Sequence, residues 1–388
     1  MKKIITPLFL TVLFASNAIA QDTNYASLDL NTLLEMSSNG DACATDAIGD
    51  CYALGRGGAK IDNDVATTYY KKAIPGLEKM AREGNPEAMN RLAGDLCNAS
   101  LNDGYADYDK AFRLYSLAAE AGHAAAQNNL GTCYEFGHGT TVDYDKAFIW
   151  YLKSSDQGYA GAMLSLGYMY DSGHGLEQDI HKAIEWYEKA AEHGNNTAIS
   201  NLGYIYWSGK NGIGVDYVKS RYYYEMMAEK GDGEALNYVG FFYHDGLGVE
   251  QNDDIAFKYY TKSAHAGHAL GQYNLGNSYQ YGRGTDIDYK KAVEWYEKSA
   301  KQNCEYGQTS LGDCYRTGTG VVQNFYQAYV WYQKAADQNH ADAINKLGEL
   351  FRDGQGVHQN INKARELFQR ATNMGNENAR INLNNLGY

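Results

Sequence analysis

The sequence predicts an all-α protein, a solenoid of repeated αα-hairpins, on three observations. An apolar residue followed by glycine recurs at Gly49, Gly94, Gly131, Gly167, Gly203, Gly240, Gly276, Gly312 and Gly348, and after a first step of 45 the spacing settles at 36 or 37 residues. A fixed period of that size marks a stack of supersecondary units. The chain also carries 35 tyrosines against three prolines in 388 residues, a balance that suits long helices with short joints better than turn-rich sheets. Helix start and stop signals recur with the same period.

Residues 1–20, "MKKIITPLFLTVLFASNAIA", place Lys2 and Lys3 before a short apolar run and end in Ala18-Ile19-Ala20. That is the pattern of a secretory signal peptide cleaved after Ala20, so the chain is expected in the periplasm or released beyond it. The run is too short to span a bilayer and no other segment is apolar enough, so no integral membrane segment is expected.

Each later unit then reads as two helices. An aromatic stands three residues after the anchoring glycine in eight of the nine units (Tyr52, Tyr134, Tyr170, Tyr206, Tyr243, Tyr279, Tyr315, Phe351), on the same helix face. This is helix A. It ends in Gly-x-Gly, as at Gly173-His174-Gly175, where glycine permits the positive φ that closes a helix.

Helix B begins at Asp62, Asp107, Asp143, Asp179, Asp216, Asn252, Asp288, Asn324 or Asn360, each four residues before a small residue. Asp and Asn are strong N-caps because the side-chain oxygen accepts an orphan backbone N–H. Paired aromatics such as Trp150-Tyr151, Trp186-Tyr187 and Trp295-Tyr296 follow, and Gly or Asn closes the helix, from Gly84 to Gly375. The Gly-x-Gly motif is therefore a joint. A dinucleotide fingerprint needs a strand before it and an acidic residue for the ribose inside a βαβ unit, and that context is missing.

The stretch "LGYMYDSGHGLEQDIHKAIEWYEKAAEHGN", Leu166 to Asn195, resembles the Sel-one-like repeat (SLR) family, a relative of the tetratricopeptide repeat. The resemblance implies a right-handed αα-hairpin superhelix of about nine repeats over 21–388 with a terminal capping helix. It further implies adaptor, scaffold or signalling roles in place of catalysis. Two units depart from the pattern: the first has an insertion around Pro75-Gly76, and the second replaces Gly-x-Gly with "NASLNDGY", Asn98 to Tyr105. The Cys-x7-Cys pair of secreted cysteine-rich SLR proteins links helix B to the next helix A. Cys43 and Cys51 have that spacing but share one predicted helix, on the order of 12 Å apart, too far to bridge. Among the six cysteines, Cys97 and Cys133 in neighbouring units fit a disulfide least badly.

The formal net charge is −13, more negative without Lys2 and Lys3, and no Lys/Arg cluster is visible, which argues against nucleic acid as a partner. The ten histidines are scattered; His265 and His268 pair without a third ligand, so no metal site and no cofactor are expected. Gly-x-Ser-x-Gly, His-Glu-x-x-His, Cys-x-x-Cys, a Walker loop, Ser-x-x-Lys and Lys-Thr-Gly are all missing, and no catalytic residue is assigned.

By analogy with the tetratricopeptide repeat, the groove positions of helix A lie three before, one after and four after the anchoring glycine. They are aromatic in the middle units and acidic near the N-terminus. Trp207 is the odd tryptophan, standing where other units place polar residues; the alternative is that the loop "SGKNGIG", Ser208 to Gly214, covers it. The expected partner-binding groove combines Tyr168, Asp171, Tyr204, Trp207, Phe241, His244 and Tyr273, with Asn237 as a backbone clamp. The expected function is that of a monomeric, non-enzymatic adaptor for a peptide or protein segment in the cell envelope. The alternative is a protein that binds or hydrolyses cell-wall glycan or a β-lactam, supported only by stacking aromatics and carboxylates.

Overall fold

The structure, a computed structural model, describes residues 25–98, 101 and 105–387. The expected leader and most of the "NASLNDGY" segment lie outside the described residues. The chain forms two compact units, one ending at Asn201 and the other starting at Leu202. No described helix is long and apolar enough to cross a membrane.

Unit 1 holds α1 (Leu30–Ser38), α2 (Ala42–Leu54), α3 (Asn63–Arg82), α4 (Pro86–Cys97), α5 (Tyr108–Glu120), α6 (Ala124–Phe136), α7 (Tyr144–Ser155), α8 (Ala160–Ser172), α9 (Ile180–Glu192) and the start of α10 (Asn196–Ser208). Unit 2 takes the rest of α10, then α11 (Tyr217–Glu229), α12 (Gly233–Asp245), α13 (Asp253–His265), α14 (Ala269–Tyr281), α15 (Tyr289–Lys301), α16 (Glu305–Thr317), α17 (Phe325–Asp337), α18 (Ala341–Asp353), α19 (Ile361–Asn373) and α20 (Glu377–Asn385). Even-numbered helices are helix A, odd ones from α3 onward helix B. In unit 1 consecutive helices from α1 to α9 pack on one another, in unit 2 those from α11 to α20 do so, and several successive A helices also meet. This is the αα-hairpin repeat solenoid that the periodicity predicts.

The caps explain why the hairpins are so regular. All nine Asp and Asn residues expected to start helix B do so, each side chain accepting from backbone N–H groups of the first turn. The small residue four positions on, Ala147 or Ala183 for example, is fully buried, which lets helix B approach helix A closely. The cap's own N–H returns to helix A, Asp143 to the Tyr134 carbonyl at 2.8 Å and Asp179 to that of Tyr170 at 2.9 Å. Helix B ends at positive φ even where the residue is not glycine, at Asn303 (63°) and Asn339 (62°).

The joints carry two different demands. Gly173 is the left-handed C-cap of α8, φ 74°. Gly175, φ 70°, also lies against the first turn of the preceding helix B, where a β-carbon would stand 2.1 Å from Cβ of Tyr144. The first unit departs from the expected pattern through length: α3 runs unbroken through Pro75 for 20 residues, and a β-carbon on Gly76 would stand 2.6 Å from Cβ of Ala42.

In most aromatic pairs of helix B the second member fills the core. Tyr151, Tyr187, Tyr296 and Tyr332 are fully buried, whereas Trp186 is half-buried and lies under the Lys189 ammonium, 4.1 Å from its ring. The six cysteines are free thiols. Cys97 and Cys133 share one core cluster with Tyr115 but are not bonded to each other.

Candidate binding row along the A helices

The groove positions of helix A are tied to the core from behind. In most repeats the second aromatic of the helix B pair lies across the anchoring glycine, so close that a β-carbon would stand 2.7 Å from the Tyr151 ring at Gly131 and 2.6 Å from the Tyr296 ring at Gly276, whereas at Gly94 the nearest contact is the Tyr115 hydroxyl at 3.7 Å. The tyrosine hydroxyl thus passes through the repeat and emerges beside the groove positions. Tyr151 donates to Glu135 (2.7 Å), Tyr187 to Asp171 (3.3 Å) and Tyr332 to Asp313 (2.5 Å), and the Tyr296 hydroxyl lies within hydrogen-bond distance of Asn277 (2.7 Å) and Gln280 (2.9 Å), with one proton for the two. In these repeats a polar side chain of the row is held by a core hydroxyl.

In unit 1, Tyr168 and Asp171 meet at one point. The Tyr168 ring stands edge-on to Tyr187, centroids 5.7 Å apart, while the Tyr187 hydroxyl reaches Asp171.

In unit 2 the row changes character. The Trp207 ring lies 5.3 Å from Tyr217 and Phe242, 5.6 Å from Phe241 and 6.2 Å from Tyr238, all typical aromatic-pair separations. Trp207, Tyr204 and Phe241 are each half-buried, and the rings flanking Trp207 come from α11 and α12. Trp207 is therefore part packing and part surface.

The remaining residues have partners of their own. Asn237 is only 7% exposed, and its side-chain carbonyl accepts from Asn274 Nδ2 at 2.8 Å. Equivalent pairs join Asn129 to Asn90 (3.0 Å) and Asn382 to Asn345 (2.9 Å), so Asn237 belongs to an amide ladder between repeats. His244 accepts from Arg283 at Nε2 (3.2 Å), which leaves Nδ1 protonated to donate to Asp253 at 2.6 Å. Tyr273 packs on Tyr296 and Tyr306, 6.1 and 5.6 Å away.

The acidic N-terminal part of the row holds a group that the sequence reading missed. Arg91, on α4, pairs with Asp46 (2.7 Å) and Asp50 (3.3 Å) of α2 and with Glu87 one turn before it. Burial, and then the Asp50 charge, push Asp46 up to about 6 against the pull of Arg91. Asp95 rises well above the carboxylate range through burial and the Asp46 and Asp50 charges. The two carboxyls thus share a proton by hydrogen bond. The Arg91 and Asp46 side chains are 8% and 6% exposed, so this is a clamp between repeats, closed to a substrate. Its signal was legible: Asp46 and Arg91 both stand three residues before the anchoring glycine.

The chain matches the Sel1 repeat family in nine segments, residues 44–74, 86–123, 124–159, 160–195, 197–232, 233–268, 269–304, 306–340 and 341–376. It is similar to c5321, a protective antigen present in uropathogenic Escherichia coli strains that displays an SLR fold. The two are 28% identical over 93% of this chain and 83% of that one, with a TM-score of 0.59. It is also similar to a Sel1 repeat protein from Oxalobacter formigenes, 28% identical over 82% of this chain and 93% of that one, with a TM-score of 0.63. Nine matched segments on nine capped αα-hairpins leave one conclusion: the chain belongs to the Sel1 repeat family.

Proposed function

We propose that this Sel1 repeat protein is a non-enzymatic adaptor, and that it takes a peptide or protein segment on the A-helix row of unit 2. Sel1 repeats commonly mediate protein interactions. The observation that carries the reading is the change at Trp207 and Phe241: in several repeats the row carries polar side chains held by core tyrosine hydroxyls, whereas here it carries two half-buried rings in contact with each other. An apolar side chain of an extended segment would gain the burial typical of an interface anchor. Asn237 already gives one carbonyl lone pair to Asn274, and its side-chain N–H is the donor it offers. The signal-like residues 1–20 support a role in the cell envelope.

The test uses the purified chain and the segment it retains from an envelope extract. Phe241→Ala should weaken that segment's binding about tenfold or more, as loss of an anchor does. Tyr222→Ala, on a 57% exposed ring of α11, should leave it unchanged. Equal loss in both variants, or none at Phe241, would remove the row from the binding surface. An intact mass beginning at Gln21 in the envelope fraction checks the export step.

A further inference from the structure

Unit 1 contains a solvent-open cavity of about 640 Å³ that lies off the groove row. It is built where successive B helices end and A helices begin, at Asn85–Glu87, Gly122–Ala125 and Gln157–Ala160, with Tyr25 and Met80 as an apolar wall. Asn85 and His123 each cap their helix with a side chain that accepts from the third backbone N–H. Tyr159, in the same place on α8, provides no such cap. Its ring is held between Ala125 and Ala162, the residue is 6% exposed, and its hydroxyl has no partner among the described residues. A buried hydroxyl without a partner costs about as much as the bond it lacks.

The charges around the cavity are already matched. His123 Nδ1 accepts from the Ala126 N–H at 3.2 Å, so Nε2 carries the proton and donates to Glu87 Oε2 at 3.0 Å. The other Glu87 oxygen accepts from Arg91 Nε. Neither an anion nor a free cation would find an unpaired counter-charge. What remains is one donating hydroxyl and, ahead of the Ala162 N–H that bonds the Tyr159 carbonyl at 3.1 Å, the first two amides of α8, on a cavity that also holds the Glu87 carboxylate and an apolar wall.

We propose that this cavity binds an uncharged peptide-type amide, its carbonyl accepting from the Tyr159 hydroxyl and its N–H directed at Glu87. The site is independent of the unit 2 row, so either reading can fail alone. Ligand-observed NMR on the purified chain, with N-acetylglycine methylamide as probe and acetate and methylammonium as charged competitors, tests it. The amide should bind saturably and in preference to both ions. Tyr159→Phe should weaken it about three- to tenfold, the worth of one hydrogen bond, while melting at or above the wild-type temperature because an unpartnered hydroxyl is lost. Trp207→Ala should leave the titration unchanged. Preference for acetate or methylammonium, no saturable amide binding, undiminished binding by Tyr159→Phe, or a lowered melt in that variant would each overturn the proposal.

Discussion

A β-carbon on Gly167 would lie 2.4 Å from Cε1 of Tyr187, and the same ring delivers its hydroxyl to Asp171. The anchoring glycine of the repeat is thus a window in helix A through which helix B reaches the groove side. Gly167→Ala should overpack this contact and cost about 1–3 kcal/mol. Tyr187→Phe keeps the ring and removes one hydrogen bond, so about 0.5–1.5 kcal/mol is expected. Chemical denaturation of both variants checks the order; an alanine milder than the phenylalanine would mean that the ring is not confined.

The joint glycines separate strain from sterics. A β-carbon on Gly194 (φ 82°) would meet nothing within 4 Å, whereas one on Gly175 (φ 70°) would lie 2.1 Å from Tyr144. Gly194→Ala should cost about 1 kcal/mol, the left-handed backbone alone. Gly175→Ala should cost clearly more, and Gly175→Val more again, with the damage confined to neighbouring repeats. Thermal melts decide it, and a nucleotide titration should stay flat throughout.

The regular part of the molecule was readable because capping and glycine chemistry act within a few residues. Asp143 caps α7 whatever the rest of the chain does, and Gly173 needs only its own φ. Contacts between repeats were less legible. That Asn237 would be taken by Asn274, 37 residues away, depends on the stacking of α12 on α14, and the proton shared by Asp46 and Asp95 depends on burial. Bulk in an aromatic pair does not tell which member is buried: Tyr187 is enclosed, whereas Trp186 packs on the core by one side only and lies under Lys189 by the other.

The Asp46–Asp95 pair makes a pH prediction with a definite sign. Both carboxyls are raised by burial, so the folded state holds their protons more tightly than the unfolded chain. Their contribution is complete below the ordinary carboxylate range and is lost as pH rises through about 6, the Asp46 value. Arg91, Asp50, Glu87 and Tyr70 face the pair and stay in place. Melts of the wild type should fall between about pH 5 and pH 7.5, and Asp95→Asn, which keeps a donor toward Asp46, should flatten that slope. A parallel decline in both proteins would place the pH dependence elsewhere.

Burial raises the six thiols, Cys97 to about 11 and Cys43, Cys133 and Cys314 to about 12. With so little thiolate at neutral pH, the folded chain should resist alkylation and the unfolded chain should react at every cysteine. Intact mass after each treatment reads this directly, and a shortfall of two alkyl groups after unfolding would reveal one disulfide, which peptide mapping would assign to Cys97 and Cys133 or to another pair.

Trp207 tests whether one ring serves both packing and binding. It touches Phe242, which is fully buried, so Trp207→Ala should lower stability by about 2 kcal/mol, short of the roughly 3–5 kcal/mol of a wholly buried aromatic. Combining it with Phe241→Ala should expose a coupling of about 0.5–1.5 kcal/mol, as expected for an aromatic pair. Trp186→Ala, another half-buried tryptophan, should destabilise to a similar degree without touching the unit 2 row. The discriminating measurement is therefore affinity for the retained segment at a temperature where all three variants are folded. Loss of binding at Trp207 with full binding at Trp186 assigns the ring to the interface, because the two variants share the loss of packing and differ only in which surface they alter. Equal losses at both would trace the effect to weakened packing and leave Trp207 a purely structural residue.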